Sequence, residues 1–416
     1  MKSFKYGPLL LLTILLFNCQ QQPQEGSNYF RLNDQMLELI SFFEKNAWDE
    51  SKSTYLSEID NEGKAMSDKI FTVASSRLIY GLSYASQSKS DYLMKAKKVA
   101  NFQKEYLIGE DDQGAFSYSF VENKKVESPT HLDVWQQAYG LCGLSELYRQ
   151  TKDATLLPTI HQLHNGFIGR FKDEEAKGLW GNFKIGEGGV TNSKSLQSLM
   201  YPLTAYMINL WEADKENKHL YEHQIAENVE MLYNIAWNKE TQWVNVKFND
   251  DWSVKKTSEG KYDFTVTPGH NFQLSALLLR TSKFDFLSKE KKQKYQSLGR
   301  KILDITLEKN YLFDDGNIIN GFYSEVDPNT NEVLDTRKTW WQHAEAIIAL
   351  SLYGGKYDQQ QELLEDYFFT TFFDKQNGGE YFYVTENNTP ITEELKGSIG
   401  KSTYHTIEMI RILNDF

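Results

Sequence analysis

The feature that most constrains the fold of this chain is a unit that recurs about six times. Each unit has a short turn-rich segment with alternating aromatic residues, then a helix, a polar turn and a second helix. Successive segments are separated by roughly 60 to 75 residues, the length of two helices and a hairpin. The segments begin at Trp48, Asp111, Asp173, Trp237, Phe313 and Phe373.

The two helices of each unit differ in composition. The first has little charge and many small or aromatic residues, as in "TWWQHAEAIIALSLYG", whereas the second is amphipathic and charged, as in "SDYLMKAKKVANFQKEYL". A ring of low-charge helices inside a ring of charged helices accounts for both. We therefore predict an all-α fold, an (α/α)6 barrel with short β-hairpins at one end. A linear solenoid is the alternative, but neither end of the chain resembles a polar capping unit.

In such a barrel the hairpins lie beside the first turns of the inner helices, which would line one cleft. Those turns and the neighbouring hairpins contain the candidate binding residues Arg77, Tyr118, Trp135, Gln197, Trp340, Trp341, His343 and His405, together with His270. Aromatic rings can bind sugar rings, although they fill cores equally well.

Two histidines begin equivalent inner helices. His270 directly follows Pro268 and Gly269 in "TPGHNFQLSALLLR", where Pro-Gly suits a turn that leads into a helix. His405 lies in the first turn of "GKSTYHTIEMIRIL", read as a helix over 400–413, where the helix dipole favours neutral imidazole. Either histidine alone could be structural. Both are expected to face the same cavity.

The segment "RKTWWQHAEAIIAL" has two adjacent tryptophans, with Glu345 one turn after Trp341. Adjacent helical residues point about 100° apart, so at most one of the tryptophans can form a sugar platform and the other belongs to the core. His343 and Glu345 could equally be structural polar residues that neighbouring helices satisfy.

Other function classes lack their signatures. The net charge of −12 and the absence of a basic cluster argue against binding to nucleic acid or anionic lipid by charge. No phosphate loop, dinucleotide fingerprint or nucleophile elbow is present. His219 and His223 have the i, i+4 spacing of a metal pair but lack the glutamate pattern of a zincin, which favours a solvated face. We therefore expect no cofactor and no metal.

Four short motifs together resemble the N-acylglucosamine 2-epimerase superfamily, which includes cellobiose 2-epimerases and aldose–ketose isomerases. They are "SSRLIYGLS", "PGHNF…LLLR", "KTWWQHAEAI" and "KSTYH", each at an inner-helix start and in the family's order. The resemblance runs from about Leu32 to the end. It implies a single (α/α)6-barrel catalytic domain over 32–416. It also implies a cofactor-independent isomerase that acts beside the carbonyl carbon of a free mono- or disaccharide.

The resemblance also implies residue roles. His270 and His405 would move a proton through an enediol(ate), Arg77 would contact the sugar oxygens, and Trp341 with Glu345 would belong to the sugar pocket. These roles suit the chemistry. A proton on the carbon beside a carbonyl is weakly acidic, so its removal needs a base of near-neutral pKa and an electrophilic partner.

Two positions depart from the family's pattern. Gln273 stands where the family commonly has a glutamate after His-x-x, and Ser195 and Gln197 stand where cellobiose epimerases have histidines. Uncharged side chains favour hydrogen bonds to hydroxyls. We therefore expect a neutral mannose- or glucose-configured substrate, with uronates as the second choice.

Three other functions remain open on the same barrel. A glycoside hydrolase needs two carboxylates at the cleft, for which Asp133 and Glu345 are the candidates. A polysaccharide lyase would use His405 or Tyr404 as its base. Carbohydrate binding without catalysis is the third interpretation.

The N-terminal segment predicts export. Residues 1–18 have a basic start and an apolar run too short to span a bilayer, which is typical of a signal peptide. Cys19 follows and resembles the lipidated cysteine of a bacterial lipoprotein, and residues 19–31 form a polar tether. Cys142 is expected to be a small core residue. We expect an exported protein, lipid-anchored to the bacterial cell envelope, with no other membrane contact.

Replacing the predicted lipidation site tests this interpretation. Cys19→Ala should release the protein from membrane fractions, because no lipid can then be attached, whereas Cys142→Ala should leave it bound. Immunoblots of separated membrane and soluble fractions measure both. A Cys19→Ala protein that stays with the membrane would disprove the assignment.

Overall fold

The computed structural model describes residues 28–185, 189–191 and 193–415. The predicted signal peptide and Cys19 lie outside these residues. Helix α1 begins at Asn28, inside the predicted tether 19–31. The helix therefore includes the last residues of that predicted tether. No helix among the described residues is long and apolar enough to cross a membrane.

Helices arranged in two concentric rings form the body of the described chain. The inner ring consists of α2 (Thr72–Ala85), α4 (Val134–Thr151), α6 (Leu196–Pro202) continued by α7 (Ile208–Ala213), α9 (Pro268–Arg280), α11 (Trp340–Tyr353) and α13 (Tyr404–Asp415). The outer ring consists of α1 (Asn28–Asn46), α3 (Asp91–Tyr106), α5 (Leu157–Phe171), α8 (His219–Met231), α10 (Lys289–Leu307) and α12 (Asp358–Thr371). The predicted (α/α)6 barrel is confirmed.

Burial explains the two helix compositions. Every residue of α2 is buried, so this helix can carry few charges. Helix α3 buries one apolar stripe, which includes Tyr92, Ala96 and Val99, and turns its lysines outward. Helices of the inner ring therefore have little charge, whereas helices of the outer ring are amphipathic.

The third inner helix is interrupted. A π-helical turn at Leu203–Met207 separates α6 from α7, directly after Pro202. Proline lacks a backbone N–H, so Pro202 already removes one α-helical hydrogen bond at the end of α6.

Short antiparallel strands lie at one end of the inner helices. The two-stranded pairs are β1 (Trp48–Asp49) with β2 (Thr54–Tyr55), β3 (Lys69–Phe71) with β6 (Phe120–Glu122), β4 (Ile108–Asp111) with β5 (Gly114–Ser117), and β10 (Glu325–Val326) with β11 (Val333–Asp335). Three-stranded sheets join β7 (His131–Asp133), β8 (Asn182–Lys184) and β9 (Gly189–Thr191), and likewise β12 (Lys338–Thr339), β13 (Tyr383–Val384) and β14 (Pro390–Ile391). Several strands therefore pair with strands of other units.

The last helix closes the ring against α2. A Cβ atom on Gly81 would overlap the Thr403 side chain, so glycine permits the close approach of the two elements. The Thr403 hydroxyl donates to the Arg77 carbonyl (2.7 Å) and the Ser402 hydroxyl to the Ala74 carbonyl (3.2 Å). Helix α13 begins at Tyr404, directly after these two residues, and not at the predicted Gly400.

Buried lysine–aspartate pairs fix the segments between helices. Lys396 Nζ lies 2.6 Å from Asp374 Oδ2 and donates to the Gly378 carbonyl (2.6 Å). Burial alone would raise the pKa of Asp374, but hydrogen bonds from Lys396 and the adjacent backbone outweigh it, and the pKa is lowered. Lys194 pairs with Asp173 in the same manner.

Removal of the Lys396 charge should destabilise the fold. Lys396→Met leaves the Asp374 carboxylate buried without its cation, and a broken buried pair typically costs about 3–5 kcal/mol. The matched control is Lys375→Met, since Lys375 is 60% exposed and its ion pair with Glu38 spans 3.7 Å. Exposed pairs contribute about 0–1 kcal/mol, so this control should unfold close to wild type. Equal urea midpoints for both variants would contradict the assignment.

Candidate active site

One cavity of about 560 Å³ opens at the hairpin end of the barrel. The residues that line it are Arg77, Asp133, Trp135, Tyr139, Gln197, Tyr201, His270, Gln273, Trp340, Trp341, Phe382, Ser398, Ile399, Gly400 and His405. Eight of the eleven sequence-predicted catalytic and binding residues are in this set. The cavity size is within the range typical of small-molecule sites.

His270 is held by the start of α9. Pro268 occupies the first turn, where its missing N–H is not needed. A Cβ atom on Gly269 would lie 2.6 Å from Gln342 Cγ and 2.9 Å from the Trp341 ring, so glycine serves close packing of α9 on α11. The Nδ1 atom of His270 is buried and contacts no hydrogen-bonding group of the described residues. Burial lowers the pKa of His270 to about 4.

His405 is paired with a carboxylate. Its Nδ1 lies 3.0 Å from Glu345 Oε1, and the same oxygen accepts a hydrogen bond from Gln273 Nε2 at 2.9 Å. Burial lowers the pKa of His405, and the positive charges of Arg77 and Lys401 add to this, while Glu345 opposes it. With Nδ1 directed at Glu345, Nε2 is the nitrogen left for a bound molecule.

The Trp341 indole lies near both histidines. Its ring centroid is 5.6 Å from that of His270 and 5.8 Å from that of His405. Trp340 is only 3% exposed, because it packs on Phe382 (4.6 Å) and beneath the Lys401 ammonium (4.0 Å). Trp341, which is half-buried, is therefore the tryptophan available as a platform.

Arg77 is fixed between aromatic rings and a turn. Its guanidinium lies 4.1 Å from the Tyr139 centroid and 5.3 Å from that of Tyr404. Nη1 donates to the Gly400 carbonyl, which belongs to the turn before α13. Burial among rings strengthens the interaction of this cation with any anion in the cavity.

Three predicted binding residues do not line the cavity. Tyr118 packs edge-on against Phe116 (5.2 Å). His343 is fully buried, with Nδ1 2.7 Å from the Thr339 carbonyl and Nε2 accepting from the Phe322 N–H at 3.1 Å. Both ring nitrogens of His343 are thus occupied by backbone, so its ring is not positioned to contact a molecule in the cavity. A role of Tyr118 in substrate binding stays a prediction. Glu345 lies below the cavity and acts on it through His405 and Gln273.

Several cavity residues were not predicted from the sequence. They are Tyr139, Tyr201, Phe382 and the turn residues Ser398, Ile399 and Gly400. Tyr139 and Tyr201 follow Trp135 and Gln197 by four residues, so helical periodicity could have found them. Nothing in the local sequence marks the 398–400 turn.

The remaining candidates have structural partners. Asp133 lines the cavity but caps α4, accepting from the backbone of Trp135 (2.9 Å) and Gln136 (3.2 Å). His219 and His223 lie on an exposed face of α8. Within the described ranges no three His, Cys, Asp or Glu side chains converge as metal ligands.

Comparison with known proteins identifies the family. The family model described as N-acylglucosamine 2-epimerase matches residues 54–409. The chain belongs to this family. Its members are epimerases and isomerases, so the protein is an enzyme of that class.

Named relatives show the extent of the likeness. A cellobiose 2-epimerase from Dictyoglomus turgidum is 22% identical over 354 residues, which cover 81% of this chain and 85% of the relative. The structure of a cellobiose 2-epimerase from Bacillus thermoamylovorans superposes with a TM-score of 0.76 at 22% identity, covering 93% and 99% of the two chains. A D-mannose isomerase structure superposes with a TM-score of 0.78 at 16% identity, covering 95% and 99%.

The lowered pKa values of His270 and His405 predict how the two rings titrate. Because the pKa of His270 is lowered to about 4, its ring should be neutral at pH 6, where an unperturbed histidine of pKa about 6.5 is mostly protonated. The pKa of His405 is also lowered, so its titration midpoint should lie below 6.5. The His270 signal should move only as the pH falls toward 4. NMR of the histidine ring C–H groups measures this, with His270→Asn and His405→Asn assigning the signals. A midpoint at or above 6.5 for either ring would contradict the expected burial effect.

Proposed function

We propose that the protein is a cofactor-independent sugar 2-epimerase or aldose–ketose isomerase in which His270 and His405 move protons through an enediolate intermediate. The observation that carries the proposal is the placement of two histidines with lowered pKa values in one cavity, both beside the Trp341 indole. A neutral imidazole is the form that can accept a proton from carbon.

The other cavity residues suit the remaining needs of this reaction. Proton removal beside a carbonyl places negative charge on the sugar oxygen. Arg77 is the cation held at the cavity wall, and it can stabilise that charge without reorganising. The Trp341 face can stack on the apolar face of a sugar ring. Glu345 orients His405 and favours its protonated form once the proton has been taken.

The substrate we propose is a neutral free sugar of mannose or glucose configuration, either a monosaccharide or a disaccharide. Gln197 and Gln273 offer uncharged hydrogen-bonding groups at the cavity wall. The named relatives act on cellobiose and D-mannose, which supports the same sugar class. Arg77 could also bind a carboxylate, so uronates are the second choice.

We further propose that the enzyme acts outside the cytoplasm, anchored through Cys19. Activated sugars are scarce there, whereas free sugars are released from polysaccharides. This location supports a free sugar as substrate.

Replacement of either histidine tests the proposal. In deuterated water, wild type should place deuterium on the carbon beside the carbonyl of its substrate. A panel of aldoses, disaccharides and uronic acids followed by proton NMR would identify that substrate. His270→Asn and His405→Asn should each lower product formation about 10²–10⁴-fold, the usual contribution of general acid–base catalysis.

The matched control is His219→Asn, which removes a histidine from the exposed face of α8 and should keep wild-type turnover. Circular dichroism would establish that all variants fold. Wild-type turnover in both cavity variants would rule out the two-histidine mechanism. Turnover of uronates alone would overturn the choice of a neutral sugar.

A further inference from the structure

A buried ion pair lies next to the first turn of α13. Lys401 Nζ is 3.1 Å from Glu380 Oε1, and both side chains are almost completely buried. The other carboxylate oxygen, Oε2, accepts a hydrogen bond from the Thr406 hydroxyl at 2.7 Å. One carboxylate therefore bonds to a residue before His405 in the chain and to the residue directly after it.

The same ion pair is joined to the turn that forms one wall of the cavity. Ser398 and Lys401 exchange backbone hydrogen bonds of 3.0 and 3.2 Å, which close this turn. Ser398 and Gly400 line the cavity, and the Gly400 carbonyl accepts a hydrogen bond from Arg77. Glu380 lies between α12 and β13, so the ion pair connects that segment to the cavity wall and to α13.

The Lys401 ammonium and the His405 ring both lie against the Trp340 indole. Lys401 Nζ is 4.0 Å from the centroid of the indole, and the centroid of the His405 ring is 6.0 Å from it. The charged groups that act on His405 are Glu345 on α11, Arg77 on α2 and Lys401 in the turn before α13. Burial lowers the pKa of His405, the hydrogen bond with Glu345 raises it, and the Lys401 charge adds to the lowering.

The surroundings of Lys401 differ from those of two other buried lysines. Lys194 and Lys396 each pair with an aspartate and also donate to a backbone carbonyl, whereas the Lys401 ammonium contacts Glu380 and the face of Trp340 among the described residues. Burial lowers the pKa of Lys401 to about 8, while Glu380 opposes this and Lys396 adds to it, so the ammonium is charged at neutral pH. A buried ion pair is weak evidence for stability, because the loss of hydration offsets the attraction of the charges. Stability alone therefore does not account for a cation in this place.

We propose, resting on the proposed function, that Lys401 and Glu380 are positioning residues for His405. Their contacts hold the chain on both sides of His405, and the Lys401 charge opposes that of Glu345 at its ring. A ring that accepts a proton from carbon must first be neutral, which the cation favours, and must then carry a charge, which the anion favours. The two charges together set the lowest pH at which His405 can act as a base. Lys401 and Glu380 do not line the cavity, so both act through His405.

Removal of the Lys401 charge should shift the pH dependence of the reaction. Lys401→Met has a side chain of similar length without the charge, so the His405 ring should bind its proton at higher pH. With the aldose that the panel identifies as substrate, the decrease of kcat/KM toward acid pH should move to higher pH by about half a unit or more, the effect of a unit charge several ångströms away in a partly buried site. The His405 ring signal in NMR should shift in the same direction. Lys401→Arg keeps the charge and should titrate like wild type.

A second variant and a matched control separate this effect from a loss of stability. Lys401→Met leaves Glu380 buried without its cation, so the double variant Lys401→Met/Glu380→Gln is measured if the single variant does not fold. It removes the same positive charge and should shift both profiles in the same direction. The control Lys194→Met/Asp173→Asn removes a buried pair from another unit and should leave both profiles at their wild-type positions.

Two results would overturn the inference while leaving the proposed function intact. One is an unchanged His405 titration and an unchanged kcat/KM profile in the Lys401 variant that folds. The other is an equal shift in the control. If wild type exchanges deuterium with no sugar of the panel, the proposed function itself is rejected, and the NMR titration still decides whether Lys401 acts on His405.

Discussion

The candidate active-site cavity depends on the contact between the last inner helix and the first. Helix α13 can close the ring only because Gly81 leaves room for Thr403, whose hydroxyl then bonds to the Arg77 carbonyl. This contact brings His405 into a cavity whose opposite residues come from the middle of the chain. The Arg77 side chain also donates a hydrogen bond to the Gly400 carbonyl, in the turn before α13. The contacts that close the ring therefore also position the Arg77 guanidinium in the cavity.

Buried charged side chains inside the barrel also connect α13 to α2 and α9. Glu408 on α13 bonds to Arg411 (2.7 and 2.8 Å) and to Tyr80 of α2, and Arg280 of α9 lies 3.3 Å from it. Burial alone would raise the pKa of Glu408, but the arginines reverse this and lower it to about 2. Loss of one partner would leave another charge of this group buried without its counterion, which is strongly destabilising.

The sequence predicts the fold well because the barrel is a repeat, and repeats display their own period. The sequence also predicts that one cavity contains His270, His405, Arg77 and Trp341, because the first turns of the inner helices all lie at the same end of the barrel. His343 does not reach the cavity because it lies two residues after Trp341, about 200° around the helix, and therefore faces the outer ring of helices. The Gly400 turn could not be predicted, because its position is set by Arg77, far away in the sequence.

The arrangement of carboxylates separates isomerisation from hydrolysis on this barrel. Hydrolysis needs an acid and a second carboxylate, both reaching the substrate. Asp133 Oδ1 is occupied by two backbone N–H groups of α4. Glu345 is below the cavity and bonds to His405 and Gln273. Each carboxylate thus already bonds to another group, and the cavity wall also carries two imidazoles and the Arg77 guanidinium, which suit proton transfer at carbon.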